Sequence, residues 1–341
     1  MRQDFYLEKY MRYGLTPARL ARACVAAIAL SVLGGGALAA EPYPAGPVRV
    51  IVSLPASGVA DTLARIMAQR LSETWAQPVV VEPRPGGNQI IGVQLVTKAR
   101  PDGYTLLVAA DAAVVTNPHF YDKLPYDPVK DLTPLIVLGQ LTPMLAVNPA
   151  LPVSNVRELV ALAKSQPGVL NYGSFGKGTF SHLSTEDFKS RTGTNIVEIP
   201  YAGGAPAVTA LVSGQVSMLL VNYSSIQAHE KAGKVRIIGA AGPKRAVMRP
   251  ELATVAESGV PGFATGAWFG LFGPANMPPA LVAKLHADVS KGLDSPQTRQ
   301  FFEQNSFERV ERSPQEFAHL IQDDLKHWGG LIKMLGVKLD Q

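Results

Sequence analysis

The chain has 341 residues, 47% apolar and 17% charged, with 32 Lys+Arg against 27 Asp+Glu and a single cysteine, Cys24. This is a globular composition, and the length suits two cores better than one small one. One cysteine argues against a disulfide scaffold or a cysteine-ligated metal, and the lack of any Lys/Arg run interleaved with aromatics argues against a nucleic-acid surface.

The N-terminus reads as an export leader. Arg2, Lys9, Arg12, Arg19 and Arg22 precede an apolar run from Cys24 to Leu33, and Ala37-Leu38-Ala39 fits a signal-peptidase site. Residues 1–39 are therefore expected to be removed, with the cut before Ala40. The run is too short to span a bilayer as a helix. Residues 1–40 hold 5 of the 32 cations and 2 of the 27 anions, so the remainder has 27 against 25, a net charge near +2 instead of +5. Cys24 leaves with the leader.

The stretch Val48–Leu71 begins as an apolar β-branched run and turns through Pro55-Ala56-Ser57-Gly58. It continues as a helix with Leu63, Ile66, Met67 and Leu71 on one face. A strand, a small-residue turn and a helix start together form an anion-ready site, because the first helical N–H groups have no intrahelical acceptor. Alone, this could be an ordinary βα turn. A second copy changes the reading: Asn171–Phe188 again runs from strand through a loop rich in glycine and serine (Ser174, Gly176, Gly178) into a helix. Two such starts suggest two lobes gripping one small acid.

Between them, a strand is expected at Val79–Val81, a turn at Arg84-Pro85-Gly86-Gly87, a helix near Ile91–Ala99 and a strand at Tyr104–Ala109. Asp111–Asn117 then lies past that strand's carboxyl end, where open α/β sheets bind ligands. Leu124–Pro128 reads as a rigid loop and Met144–Val147 as a strand. Ser154 is expected to cap a helix reaching Lys164. The pattern continues with the strand Ile196–Ile199, a loop through Tyr201, Gly203 and Gly204, the helix Pro206–Ser213, and the strands Val216–Val221 and Val235–Ala240. Gly266–Gly273 reads as an extended strand. The tail is helical from Pro278, with an N-cap at Ser295-Pro296 and a capping box at Ser313-Pro314-Gln315-Glu316. Alternating strands and helices predict an α/β fold with mostly parallel sheets flanked by helices.

A series of short motifs stands in order along the chain. They are Pro55…Gly58…Asp61, Glu82-Pro83-Arg84-Pro85-Gly86, Pro101-Asp102-Gly103-Tyr104-Thr105-Leu106, Asn117-Pro118 and Leu124-Pro125-Tyr126-Asp127-Pro128. Leu170-Asn171-Tyr172-Gly173-Ser174, Pro200-Tyr201-x-Gly203-Gly204 and Trp268-x-Gly270-Leu271 follow. Together, from about Tyr43 to Lys338, they resemble the periplasmic solute receptors of tripartite tricarboxylate transporters, the Bug family. The resemblance implies a two-lobe Venus-flytrap binding protein of type II-like form. It implies a periplasmic monomer that delivers a small organic carboxylate to membrane permease subunits, with no cofactor and no nucleic acid. It also implies crossovers near Leu145–Pro149 and Trp268–Phe272, giving lobe 1 as 41–146 plus 270–341 and lobe 2 as 147–269. The sequence departs from the family pattern at Ser57-Gly58, at Gly87-Asn88-Gln89 and at Val221-Asn222, all expected near the cleft.

The expected ligand-binding set is Pro55, Ala56, Ser57, Gly58, Asp61, Asp111, Ser174, Phe175, Gly176, Gly178, Thr179, His182, Tyr201, Gly203, Gly204, Asn222 and Trp268. Several have a structural alternative. Asp61 can orient the Ser57 loop, His182 can make a structural hydrogen bond, Lys177 can be a solvated loop lysine, and Trp268 can pack at a crossover. Phe175 and Tyr223 are candidates for the cleft wall. With Val221 and neutral Asn222 ending their strand, the expected ligand needs no amino group and is apolar or aromatic near Val221, Phe175 and Trp268. The alternative makes Asp61 or Asp111 its charge partner.

Catalysis has little support in the sequence. No Gly-x-Ser-x-Gly elbow surrounds Ser174, the six histidines lack metal-ligand spacing, and His229-Glu230 lacks a second histidine four residues on from the first. A periplasmic hydrolase, or a sensor input for a signalling kinase, remains the alternative to a transport receptor.

Overall fold

Eleven strands divide between two mixed sheets in the computed structural model, which describes residues 43–336. The expected leader lies outside the described residues. Of the described residues, Gly46 to Gly336 belong to one compact unit.

The first sheet starts as read from the sequence. Strand β1 (Val48–Val52) leads through the first loop into helix α1 (Val59–Trp75), whose Leu63, Ile66, Met67 and Leu71 are all buried. Strands β2 (Val79–Pro83) and β3 (Thr105–Ala110) flank β1 in parallel, with Val50 opposite both Val81 and Leu106. Helix α2 (Ile90–Thr97) lies between β2 and β3 in the chain, and the single turns α3 (Asp111–Val114) and α4 (Asn117–Phe120) follow β3.

The sequence reading missed strand β4 (Leu132–Leu141), whose alternation is broken by Pro134 and Gly139. β4 pairs antiparallel with the late strand β10 (Ala267–Pro274), with two register shifts, and β10 pairs antiparallel with β3. The short β11 (Phe307–Glu308) completes the order β11-β4-β10-β3-β1-β2.

The second sheet repeats the plan in the order β7-β6-β8-β5-β9. Its strands are β5 (Pro143–Val147), β6 (Asn171–Ser174), β7 (Val197–Pro200), β8 (Met218–Asn222) and β9 (Arg236–Ala240). β6 is parallel to β7 and β8, while β5 is antiparallel to β8 and β9. The chain passes from the first sheet to the second at Thr142, so Met144–Ala146 pairs in the second sheet. It returns before Ala267, so Ala267–Phe269 pairs in the first. Each sheet is thus a parallel nucleus extended by antiparallel strands.

Both faces of the second sheet are covered. Helices α5 (Val156–Ser165) and α6 (Phe180–Thr192) bury Leu159 and Phe188 with Tyr172 and Phe263 on one face, where the Phe188 and Phe263 rings meet edge-on at 5.8 Å. Helices α7 (Gly204–Ser213) and α8 (Tyr223–Lys231) bury Leu211 and Ile226 with Leu219 on the other. The cap of α5 is Asn155, not Ser154: its side chain accepts from Glu158 N–H, while Ser154 N–H donates to the Glu158 carboxylate at 2.6 Å. Helix α8 was also not anticipated, because Tyr223-Ser224-Ser225 carries no strong apolar period.

The tail matches its expected signals. Helices α9 (Pro279–Leu293), α10 (Pro296–Asn305, capped by Ser295) and α11 (Pro314–Leu335) return to the first half, and the Ser313/Glu316 capping box is formed. Phe317, Ile321, Trp328 and Ile332 at α11 spacing join the core containing Ile51, Leu107 and Phe272. Leu183 of α6 belongs to that same core, which ties α11 to the second half.

Candidate functional site

A cavity of about 450 Å³ lies between the two halves. Asn88, Asp111, Ala112, Val115, Thr116 and Tyr121 line it from the first half. Phe175, Lys177, Gly178, Thr179, Phe180 and Leu183 line it from the second, with Gly266 of the return crossover and Trp328 of α11. Its size falls in the range of small-molecule pockets, and its wall combines aromatic rings with a few polar groups, as such pockets do.

The second-half wall is the β6–α6 loop, which organises itself. Phe175 N–H donates to Ser181 Oγ at 2.8 Å and Gly176 N–H to Ser174 Oγ at 3.2 Å. Ser174 Oγ donates to Glu198 at 2.6 Å, and Thr179 Oγ1 donates to the Gly176 carbonyl at 2.6 Å. Gly178 N–H donates to His182 Nδ1 at 3.3 Å. Gly176 (φ +110°) and Gly178 (φ +76°) lie where L side chains are rarely found, which is why the loop needs glycine on both sides of Lys177. Burial lowers the His182 pKa against the opposing charge of Glu198, whose carboxylate lies 3.7 Å from Nε2. The neutral ring, accepting at Nδ1, is what the Gly178 bond requires. Thr179 caps α6 with extended backbone but no side-chain bond, so the first α6 N–H groups keep their donor capacity at the cavity wall.

The first loop is wired through Asp61. Ser57 takes φ +63°, a left-handed geometry that costs a non-glycine residue about 1–2 kcal/mol. Its N–H donates to Asp61 Oδ2 at 3.0 Å, and Arg65 Nε donates to the same oxygen at 3.0 Å. Burial works against the Asp61 charge, but these bonds and the Arg65 charge prevail and lower its pKa. Asp61 Oδ1 is buried without a hydrogen-bond partner. Pro55, Ala56 and Ser57 are exposed, and none of Pro55, Ala56, Ser57, Gly58 or Asp61 lines the cavity.

The first-half wall is fixed by amide bonds. Gln89 Oε1 accepts from Ser53 Oγ and Ala110 N–H, both at 3.0 Å. Asn88 Nδ2 donates to Asn117 Oδ1 at 2.6 Å, and Asn117 Nδ2 donates to the Asn88 carbonyl at 2.8 Å. The departure at Asn88-Gln89 therefore locks the β2–α2 loop onto the end of β3. Asp111 starts α3 and accepts from Ala112 N–H at 2.7 Å. It keeps some accessible surface at the cavity, yet protein encloses it elsewhere. Burial pushes its carboxyl up to about 7; the Ala112 amide opposes this and the charge of Asp324 adds to it.

Of the expected set, the structure brings Asp111, Phe175, Gly178 and Thr179 together on one cavity. Ser174, Gly176 and His182 support that wall from behind. Tyr201, Gly203, Gly204 and Asn222 do not line it, and neither does Val221, which is buried in the second-sheet core. Trp268 packs: its ring meets Phe317 edge-on at 5.1 Å, and Nε1 donates to Asp324 at 2.9 Å. It lines a separate cavity of about 200 Å³ that shares Gly266 and Trp328 with the first. Lys177 is exposed on the cavity wall. Asn88, expected near the cleft as a departure from the family pattern, lines the cavity, while Tyr121, Phe180 and Trp328 went unmarked in the sequence; Trp328 had one usable signal, an aromatic ring on the apolar stripe of α11. Among the described residues no group of three or more His, Cys, Asp or Glu is placed to hold a metal, and no helix is long and apolar enough to cross a membrane.

Two α/β halves joined by crossovers, with a cavity between them walled by loops at the carboxyl ends of parallel strands, define a two-lobe solute-binding protein. The family described as tripartite tricarboxylate transporter family receptor, TctC, matches residues 63–337, and the chain belongs to it. It is similar to the Protein BugT of Bordetella pertussis, 31% identical over 303 residues and covering 89% of this chain and 93% of that protein. Among solved structures it is similar to Rhodopseudomonas palustris Rpa4515 with adipate (33% identity, 87% of this chain and 99% of that one, TM-score 0.69). It is also similar to MatC from R. palustris with bound malate (30% identity, 85% and 100%, TM-score 0.65).

Proposed function

We propose that this chain is exported to the periplasm and captures a small organic carboxylate between its two lobes. It then delivers the ligand to the permease subunits of a tripartite tricarboxylate-type transporter. The observation that carries the reading is the cavity between the halves, with Lys177 and the start of α6, which no side chain caps, on one wall. Adipate and malate in the related structures support the same ligand class. The lobes divide at Thr142 and before Ala267, so the first contains β1–β4 with β10–β11 and the second β5–β9. The receptor works as a monomer and without catalysis. Calorimetry and thermal shift on the chain from Ala40 onward, against mono-, di-, tri-, aromatic and amino carboxylates, test the reading. A ligand at a hundred times its Kd adds about 2.7 kcal/mol of apparent stability. No heat and no melting shift across the panel would overturn it. Uptake in cells lacking the receptor gene, restored by the gene together with its permease, tests delivery.

A further inference from the structure

The cavity carries two anchors of opposite kind, on walls from different sheets. On the second-half wall, Lys177 and the uncapped α6 start offer positive potential. On the first-half wall sits the carboxyl of Asp111. The charge acting on Asp111 through the protein comes from another acid, Asp324 of α11, and its opposing partners are two backbone N–H groups, Ala112 and Trp268. Asp324 is itself occupied by Trp268 Nε1. The charges of His327 and Arg312 favour the ionised form of Asp324. Among the described residues the one charge acting on Asp111 is that of Asp324, which leaves at the cavity wall an electrostatic vacancy that an ammonium group fills and a second carboxylate aggravates. Between the anchors the wall is Val115, Tyr121, Phe180 and Trp328, an apolar and aromatic surface suited to a spacer and to a cation near ring faces.

Resting on the receptor reading above, we propose that the ligand is an amino carboxylate whose charges are separated by an apolar or aromatic spacer. Its carboxylate lies at Lys177 and the α6 start, and its ammonium lies at Asp111. Asp111 is then the specificity-determining residue, and an α-amino acid, with both charges on one carbon, serves only one wall at a time. The raised pKa of Asp111 fits this role: at neutral pH the empty site holds its proton part of the time, and an arriving ammonium displaces it.

The test is calorimetry with matched ligands of one chain length: a straight-chain monocarboxylate, its ω-amino analogue and the corresponding dicarboxylate. The ω-amino acid is expected to bind at least about tenfold tighter than the monocarboxylate, equivalent to about 1.4 kcal/mol. Asp111→Asn, nearly isosteric, should erase that advantage while leaving monocarboxylate binding within about twofold. Lys177→Met should weaken all three ligands and keep the preference for the amine. Buffers of different ionisation enthalpy should show proton release when wild-type protein binds the ω-amino acid at pH 7, a readout that needs no variant. The groups facing Asp111 in that titration are Asp324 from α11, Tyr121 on the same wall and, across the cavity, Lys177. Equal affinity for monocarboxylate and ω-amino acid, or tightest binding of the dicarboxylate, would overturn this inference and leave the receptor reading intact. Absence of binding by every carboxylate would instead overturn the receptor reading.

Discussion

His182 is the support on which the cavity's second-half wall depends, and its removal should have a measurable cost. The ring is 5% exposed, and its Nδ1 is the acceptor for Gly178 N–H. In His182→Ala that N–H loses its partner inside a tight loop, a cost of about 1–3 kcal/mol, and the lost imidazole leaves a void. The sum is about 2–4 kcal/mol. Urea unfolding followed by tryptophan fluorescence should show it at pH 7.5. The pH dependence has a defined sign. The His182 pKa is lowered in the folded protein, so its contribution is complete above the unfolded value near 6.5 and is lost as pH falls through the folded value. Wild type alone will not reveal this slope. Asp111, Asp324 and Glu308 are acids whose folded pKa values are raised by burial, so the stability they hold when protonated is lost as pH rises; Asp111, pushed up to about 7, opposes His182 between pH 5.5 and 6.5. The gap between wild type and His182→Ala isolates the histidine. It should narrow toward pH 5.5, by at most about 1.4 kcal/mol per pH unit. A gap below about 0.5 kcal/mol at pH 7.5, or one that widens on acidification, would refute the reasoning.

Gly92→Ala should destabilise by about 1–3 kcal/mol, because the new Cβ would lie 2.8 Å from Ser53 Cα and 3.0 Å from the Arg84 carbonyl, while Gly330→Ala, at an exposed position inside α11 where the Cβ meets nothing, should stabilise by about 0.5–1 kcal/mol in the same urea titration. Asp61→Ala removes the acceptor for Ser57 N–H and should cost about 1–2 kcal/mol, with faster amide exchange localised to Ser57 and Gly58; unchanged exchange would refute the wiring. Trp268→Phe strips Asp324 of its indole donor and should cost about 1–3 kcal/mol. Because the Asp324 pKa is already raised and would rise further, that loss should be larger at pH 8 than at pH 5.

What was legible in the sequence follows from how local each signal is. Val48–Val52 and the Leu63/Ile66/Met67/Leu71 face declare themselves by β-branching and helical period, and Ser313 with Glu316 forms its capping box from four adjacent residues. β4 stayed hidden because Pro134 and Gly139 interrupt its alternation, and its pairing with β10, which shifts register twice, joins distant segments of the chain. α3 and α4 are single turns, too short for any period to show. The site divides the same way. The β6–α6 loop was visible as glycine and serine before a helix, but the cavity's other wall depends on contacts between distant segments. Asn88 meets Asn117 across 29 residues, and Trp328 reaches the cavity from the far end of the chain. The loop at Pro55–Gly58 shows the converse: its chemistry was legible, but whether it lines this cavity depends on the disposition of the lobes.

The helix starts show how the fold distributes its hydrogen-bond donors. α5, α10 and α11 are capped by the side chains of Asn155, Ser295 and Ser313. These helices follow an antiparallel strand, a helix and the short edge strand β11, away from the carboxyl ends of the parallel strands. α1, α6, α7 and α8 follow the parallel-paired strands β1, β6, β7 and β8, and none has a side-chain cap. An uncapped N-terminus forgoes about 1 kcal/mol relative to a good cap. Thr179 could have supplied one, but its hydroxyl donates to the Gly176 carbonyl instead. The capacity to bind anions is thus concentrated at the carboxyl ends of the parallel strands, where α/β sheets bind ligands. Because backbone N–H groups supply it, it reads negative charge without reading shape. Discrimination between one acid and another must come from the side chains around the cavity, among them Asp111, whose carboxyl is pushed up to about 7 by burial.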